Sequence, residues 1–420
     1  MTTTPSDTVG RSDEPPEVTG ADPDLPVTLY PLTFLDEGDE VTVGRTDTDS
    51  YCVLPADGAA LLRQLVQGRS PRQVADWYAQ HYGEPVDVEE FVAAMDELGF
   101  VAPAVTQTST PGRVAWQRLG AATFSLPAWV GYAVMLVGAV VVTQRHHDLL
   151  PRTSNMYFSA YATPVLLLAV FGQFPFVLIH EGFHALAGRR LGLRSQLRIS
   201  RRLNVLVAET SLDGLVVLPR RKRYLPILAG MFADLLVIGA LTLIAAALRQ
   251  PAGHQPLAGG ICLALAYATL LRFVWQFYFF LQTDLYQLIV TALGCVDLHR
   301  TTCRLIANRW RRALGRQQGL HDENQWHPRD RAVARWYCWV LLAGYAISLG
   351  SFVIAVLPLL FHLFGTVFRG LFGAGHLDLD TVADSTTFLL LTAAQLSAVG
   401  YLMLRDRRRD RNSTAVYVIG

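Results

Sequence analysis

FVLIHEGFHALAG, residues 176–188, sets two histidines and a glutamate inside a run of Phe, Val, Leu, Ile and Ala. Ionisable groups at membrane depth cost several kcal/mol, so a chain that keeps three in five residues has a use for them. On a helix His180 and His184 share a face one turn apart, ~6 Å, which lets two imidazoles converge on one Zn2+. Glu181 stands beside them and can reach a metal-bound water as general base. The blander account, two core histidines bonded to neighbouring helices, leaves the glutamate unexplained.

The rest of the chain is as apolar as this stretch. Of its 420 residues 51% are hydrophobic, and the mean hydropathy is +0.27. Soluble proteins of this length rarely average so high, so several segments are expected in a lipid bilayer. Six runs approach the ~20 residues a span needs: 125–143, 163–187, 226–248, 261–281, 336–362 and 386–404. Net charge is +1, which gives no global basic character and no reason to expect nucleic acid. The basic residues are nearly all Arg, with Lys222 the exception, as in a GC-rich bacterium. Five cysteines, an odd number with no CxxC, read as small core residues rather than a disulfide or metal framework.

Arginines set the expected orientation. They crowd 188–224 and 282–335 and end the chain in RDRRRDR (405–411), whereas 249–260 and 363–385 hold one Arg each. The basic loops therefore belong to the cytosol, and six spans leave both termini there. Catalytic zinc wants a third protein ligand and an open position. Asp213 sits in SLDG between the apolar runs 203–208 and 215–218, a hairpin-turn signal. Asp284 ends the fourth span, which runs inward like the second and so reaches the depth of His180 and His184. Depth favours Asp284. Asp234 and Arg272 also lie mid-span, either as a buried ion pair or as substrate contacts. Gly172 and Pro175 precede the histidine helix and can kink it.

Residues 1–23 are Thr, Ser, Pro and acids, a disordered tail with no apolar core for a signal peptide. Residues 24–104 read as a small soluble domain: strand-like VTLYPLTFL, EVTVGR and SYCVL, then three helical patterns. The first places Leu61, Leu62 and Leu65 on one face. The second opens on Ser70 and Pro71, a cap with Pro at the first position. The third carries Phe91, Val92, Met95 and Leu98. Strands followed by three helices fit a winged-helix layout.

The stretches VLPADGAALLRQLVQGRSPRQVADWY and VDVEEFVAAMDELGFV resemble the PqqD family, the peptide-recognition domain of ribosomal peptide biosynthesis. That resemblance implies that 24–104 binds a leader peptide by strand addition to an exposed sheet edge. The membrane part resembles the site-2 protease family of intramembrane zinc metalloproteases, over about 125 residues, and within it the bacterial peptide zinc metalloprotease branch. Its parts follow in the family's order: HEGFH (180–184), a hairpin candidate at 195–218, AGMFAD (229–234) in place of AGPxxN, and TDLY (283–286) in place of LDG. Met231 and Asp234 replace the family's Pro and Asn, and Gly is missing after Asp284.

The expected fold is a mainly α-helical polytopic membrane protein with about six transmembrane helices and a membrane-associated β-hairpin, behind an α+β winged-helix-like domain. Its parts are a tail 1–23, the domain 24–104, a linker 105–124, the intramembrane metalloprotease domain 125–404 and a basic cytosolic tail 405–420. The expected function is zinc-dependent endopeptidase in the bacterial cytoplasmic membrane. Zn2+ sits on His180, His184 and Asp284, Glu181 is the general base, and Val205 and Val207 lie on the hairpin edge offered to substrate. The substrate is a ribosomally made peptide, its leader, or a membrane protein, with a peptide exporter as a further partner. Two rivals stand beside this reading: a regulatory protease that releases a membrane-bound factor, and a non-enzymatic export or immunity factor.

Overall fold

A computed structural model describes residues 23–103, 114–372 and 378–414, apart from 38, 39, 46, 47, 49, 203, 204, 252 and 317. Side chains at 37, 197–202, 205–209, 211, 213, 399, 402, 403 and 406–414 are likewise outside the description. The expected tail 1–23, except its last residue, and the linker's first half therefore lie outside the described residues. The chain divides into two compact units, Met1–Pro111 and Gly112–Gly420.

The first unit is a three-stranded antiparallel sheet followed by three helices. Strands β1 (Thr33–Glu37), β2 (Glu40–Arg45) and β3 (Ser50–Pro55) pair in the order β1-β2-β3. Helices α1 (Ala56–Val66), α2 (Pro71–Tyr82) and α3 (Val88–Glu97) close the core over the sheet. Leu61, Leu62 and Leu65 are buried there with Val41, Val43, Val74, Met95 and Phe100. The start of α2 is a capping box: Ser70 accepts from the Gln73 amide while Gln73 accepts from the Ser70 amide. The run 27–35 is not one strand. Leu29 makes an isolated bridge to Val101 and β1 begins only at Thr33, because Pro31 interrupts the ladder.

The second unit is mainly helical. It begins with α4 (Gln117–Thr123), α5 (Leu126–Arg145), α6 (Ala162–Val170) and α7 (Phe174–Arg190). A hairpin follows, β4 (Arg194–Arg202) with β5 (Val205–Asp213), and then α8 (Arg220–Leu248) and α9 (Leu257–Trp275). The remainder is α10 (Asp284–Leu293), α11 (Leu298–Ala313), α12 (Pro328–Ser351), α13 (Leu357–Phe372) and α14 (Leu379–Thr414).

Five described helical runs are long and apolar enough to cross a membrane: α5, α6 with α7, α8, α9, and α12 with α13. The sixth expected run, 386–404, falls within α14, where several side chains are outside the description. Helix α8 is the central one, with 61% of its most apolar window buried against 6% for α5. Between α6 and α7 the helix breaks at 171–173, where Gly172 and Pro175 were expected to kink it, and Pro175 occupies the first turn of α7.

Two boundaries differ from the sequence reading. The hairpin pairs Arg194↔Asp213 through Arg202↔Val205, so Asp213 ends a strand instead of forming its turn, and 215–217 is a short 3-10 turn. Apolar continuity had selected 203–208 and 215–218, whereas β4, RSQLRISRR, is a polar strand with Leu and Ile only at alternate positions. The fourth apolar run ends at Trp275, and Asp284 opens a new short helix rather than ending the long one.

Candidate metal centre

Helix α7 carries His180, Glu181 and His184, all buried. Helix α8 packs along it, and α10, which also packs against α8, delivers Asp284. A core of Phe279, Tyr286, Leu298, Val333, Ala334 and Tyr337 seats α10 against α11 and α12. The Tyr286 hydroxyl accepts the amide of His299, which ties α10 to the start of α11. In the turn before α10, Gln282 takes φ +53, a left-handed conformation that costs an L-residue about 1 kcal/mol. Thr283 Oγ1 donates to the Gln276 carbonyl at 2.6 Å, and the Asp284 amide donates to Gln276 Oε1 at 3.1 Å. Those bonds hold the Asp284 carboxylate at the positive end of α10.

The three side chains expected as ligands meet. His180 Nε2 and His184 Nε2 are 3.2 Å apart. Each lies 3.2 Å from Asp284 Oδ2. Together they form a buried group that could hold a metal ion. Around a tetrahedral ion with bonds of about 2.0 Å, donors stand about 3.3 Å from one another, so the observed triangle has the size such an ion requires.

Protonation makes the case sharper. His184 Nδ1 lies 2.7 Å from the Pro226 carbonyl, which can only accept, so Nδ1 carries the proton. His180 Nδ1 lies 3.1 Å from Asp234 Oδ2 and donates in the same way. With both Nδ1 atoms so committed, only the Nε2 atoms are left to turn inward, onto each other and onto a carboxylate oxygen. Three acceptors at this spacing need a cation among them, a proton or a metal ion, and an ion of zinc's size would meet all three.

Asp234 is fully buried, with its second oxygen 2.5 Å from Arg272 Nη2. Arg272 also donates to Gln173 Oε1 and to the Phe176 carbonyl, both at 3.3 Å. The Asp234–Arg272 pair, left open between structural pair and substrate contact, thus reaches the centre through His180. Formally, Asp234, Asp284 and Glu181 set three carboxylates against one guanidinium, an excess that a divalent cation balances.

Glu181 points to the hairpin. Its Oε2 accepts the Thr210 amide at 2.8 Å, and its carbonyl accepts the Thr210 hydroxyl at 3.1 Å. The Thr210 amide therefore faces away from β4, and this outer edge of β5 runs toward Glu181. Val205 and Val207 lie on the same strand, with side chains outside the description.

The sequence reading missed Gly230, Pro226, Thr210 and Gln276. A Cβ built on Gly230 would collide with the Nε2 atoms of both histidines, so the α8 backbone closes one wall of the centre. AGM within a helix is the only trace of it in the sequence, since Gly inside an apolar helix marks close approach. No protein-family model matches the chain, and no curated protein or solved structure matches it either.

Proposed function

We propose that this is a membrane-embedded zinc peptidase that cleaves a ribosomally made peptide or its leader. The observation that carries the reading is the triangle of two Nε2 atoms and one carboxylate oxygen, with both Nδ1 atoms committed as donors. Two imidazoles and one carboxylate suit zinc and leave a position open, as catalytic sites do. A divalent ion held there supplies Lewis acidity, polarising a carbonyl and lowering the pKa of water at the site.

The chain's own residues do the rest. Asp234 and Pro226 keep the two imidazoles in the tautomer that binds metal. Glu181, next to the first ligand, takes a proton from water as it adds to the peptide carbonyl and returns it to the leaving amine. An extended substrate pairs with the outer edge of β5, which runs toward the site. The winged-helix-like first unit, with the PqqD resemblance, tethers a leader and raises its effective concentration near the centre. The five long apolar helices support a multi-pass placement in the bacterial cytoplasmic membrane.

Metal analysis with a cleavage assay tests this. Purified protein should carry one equivalent of zinc, and His180→Ala and Asp284→Ala should lose it. Glu181→Gln should keep the metal and lose cleavage of an unfolded leader-bearing peptide. Wild-type protein without any divalent metal, or Glu181→Gln with normal turnover, would sink the proposal.

A further inference from the structure

Helix α11, LHRTTCRLIANRWRRA, has 16 residues, five of them Arg and none acidic. Leu298, Thr301, Thr302, Leu305 and Asn308 are buried on the side that packs against α12. The opposite side is apolar and exposed. Cys303, Ile306 and Trp310 recur at helical spacing and Leu314 continues the line past the helix end. Trp310 is 67% exposed and Leu314 54%. Arg300 and Arg304 border this stripe. Trp, Ile and Leu in line on an outer face beside arginines need a covering partner. A helix lying flat in a lipid surface has one, with the apolar line in the acyl boundary and the cations on headgroups.

The neighbouring helix gives an independent indication of depth. Arg309 Nη1 lies 3.5 Å from Cys338 Sγ, which sets the end of α11 level with the third turn of α12. There Trp336 and Trp339 face outward, 46% and 68% exposed. Tryptophans gather at the membrane–water boundary, and Trp310 follows Arg309 while Trp336 and Trp339 flank Cys338, on the two sides of that contact.

We infer that α11 is an interfacial helix that recognises anionic lipid headgroups. Its Cys303–Ile306–Trp310–Leu314 stripe enters the acyl boundary, and Arg300 and Arg304 bind the charged surface. The inference rests on the membrane part of the proposed function and is independent of the metal.

The full-length protein in lipid nanodiscs provides the test. The fluorescence of Trp310 is isolated as the difference between wild type and Trp310→Phe, with lipids bearing a shallow doxyl group as quencher. Quenching of that component should be severalfold greater in discs containing phosphatidylglycerol than in pure phosphatidylcholine. An Arg300→Gln/Arg304→Gln variant should lose the difference. Equal quenching in the two lipids, or a Trp310 component quenched only by aqueous iodide, as expected if a soluble protein partner covers this face in the cell, overturns the inference. The wild-type comparison stands even if the double variant fails to fold. Recovery of the protein in discs at all tests the membrane reading separately.

Discussion

At Gly230 a side chain would occupy the place where two imidazoles point. Gly230→Ala should therefore push His180 and His184 apart. Displaced ligand geometry typically costs 10–100-fold in metal affinity. Chelator competition on the purified variant checks this, and an unchanged affinity would mean that α8 yields without disturbing the rings. At this scale the sequence was legible where chemistry is local. HEGFH sets two candidate ligands and the proposed base within one turn, and depth singled out Asp284, which does meet the two histidines. Gly230 and the bond between Asp234 and His180 were obscure for a physical reason. Helical spacing tells which residues share a face, but not which neighbouring helix that face meets, so the bond from His180 to Asp234 had no signature. Arg272 could be recognised as a partner for Asp234 only because unpaired charges are costly in lipid.

Among the elements, α2 shows how a helix of the first unit is held and how pH should act on it. The Tyr78 hydroxyl donates to Asp57 Oδ2 at 2.7 Å, which joins α2 to the first turn of α1. That bond holds the Asp57 carboxyl below the usual carboxylate range and pushes the Tyr78 phenol up to about 12. A carboxylate with a depressed folded-state pKa stabilises above its unfolded pKa, and the contribution fades as pH falls through the folded value. Tyr78→Phe should cost about 1 kcal/mol at neutral pH, and the loss should shrink below pH ~4. Urea unfolding of a fragment covering 1–111, followed by Trp77, its one tryptophan, reads both effects. A loss that stays constant down to pH ~3 would contradict the assignment. Elements with strong periodicity and caps, α1 and α2 above all, were readable from sequence within a residue or two. The β4–β5 hairpin was expected at 195–218 but its strands were misplaced, because a strand rich in Arg carries little of the apolar signal by which strands are found.

For the whole molecule, the distribution of arginine should fix how the chain sits in the bilayer. If basic loops stay in the cytosol, a cysteine placed at exposed His254 should react with an impermeant maleimide from outside intact cells. One at exposed Gln318 should react only in inverted vesicles. A Cys303→Ser background removes the exposed native thiol. Labelling of both positions from one side would overturn that orientation. Five of the six expected spans correspond to long apolar helical runs, because length and hydropathy are properties of the chain itself. What hydropathy could not reveal is how one run is divided. The interruption at 171–173 puts Gln173 at the cap of α7, where its carbonyl accepts the Val177 amide. Its side chain donates to the Leu265 carbonyl at 3.2 Å and accepts from Thr269 and Arg272 at 3.3 Å, so the break fastens α7 to α9 just above the histidines.

The contact between Glu181 and Thr210 sets up a competition. One amide proton serves the carboxylate, and the same amide lies on the strand edge where an incoming extended chain would seek its own hydrogen bond. Under the proposed function, a chain docking far enough along β5 would displace Glu181 from this bond and leave its oxygen open to a proton when a peptide bond comes within reach. A protein without substrate would then keep its proposed proton acceptor parked, and occupancy of the edge would release it.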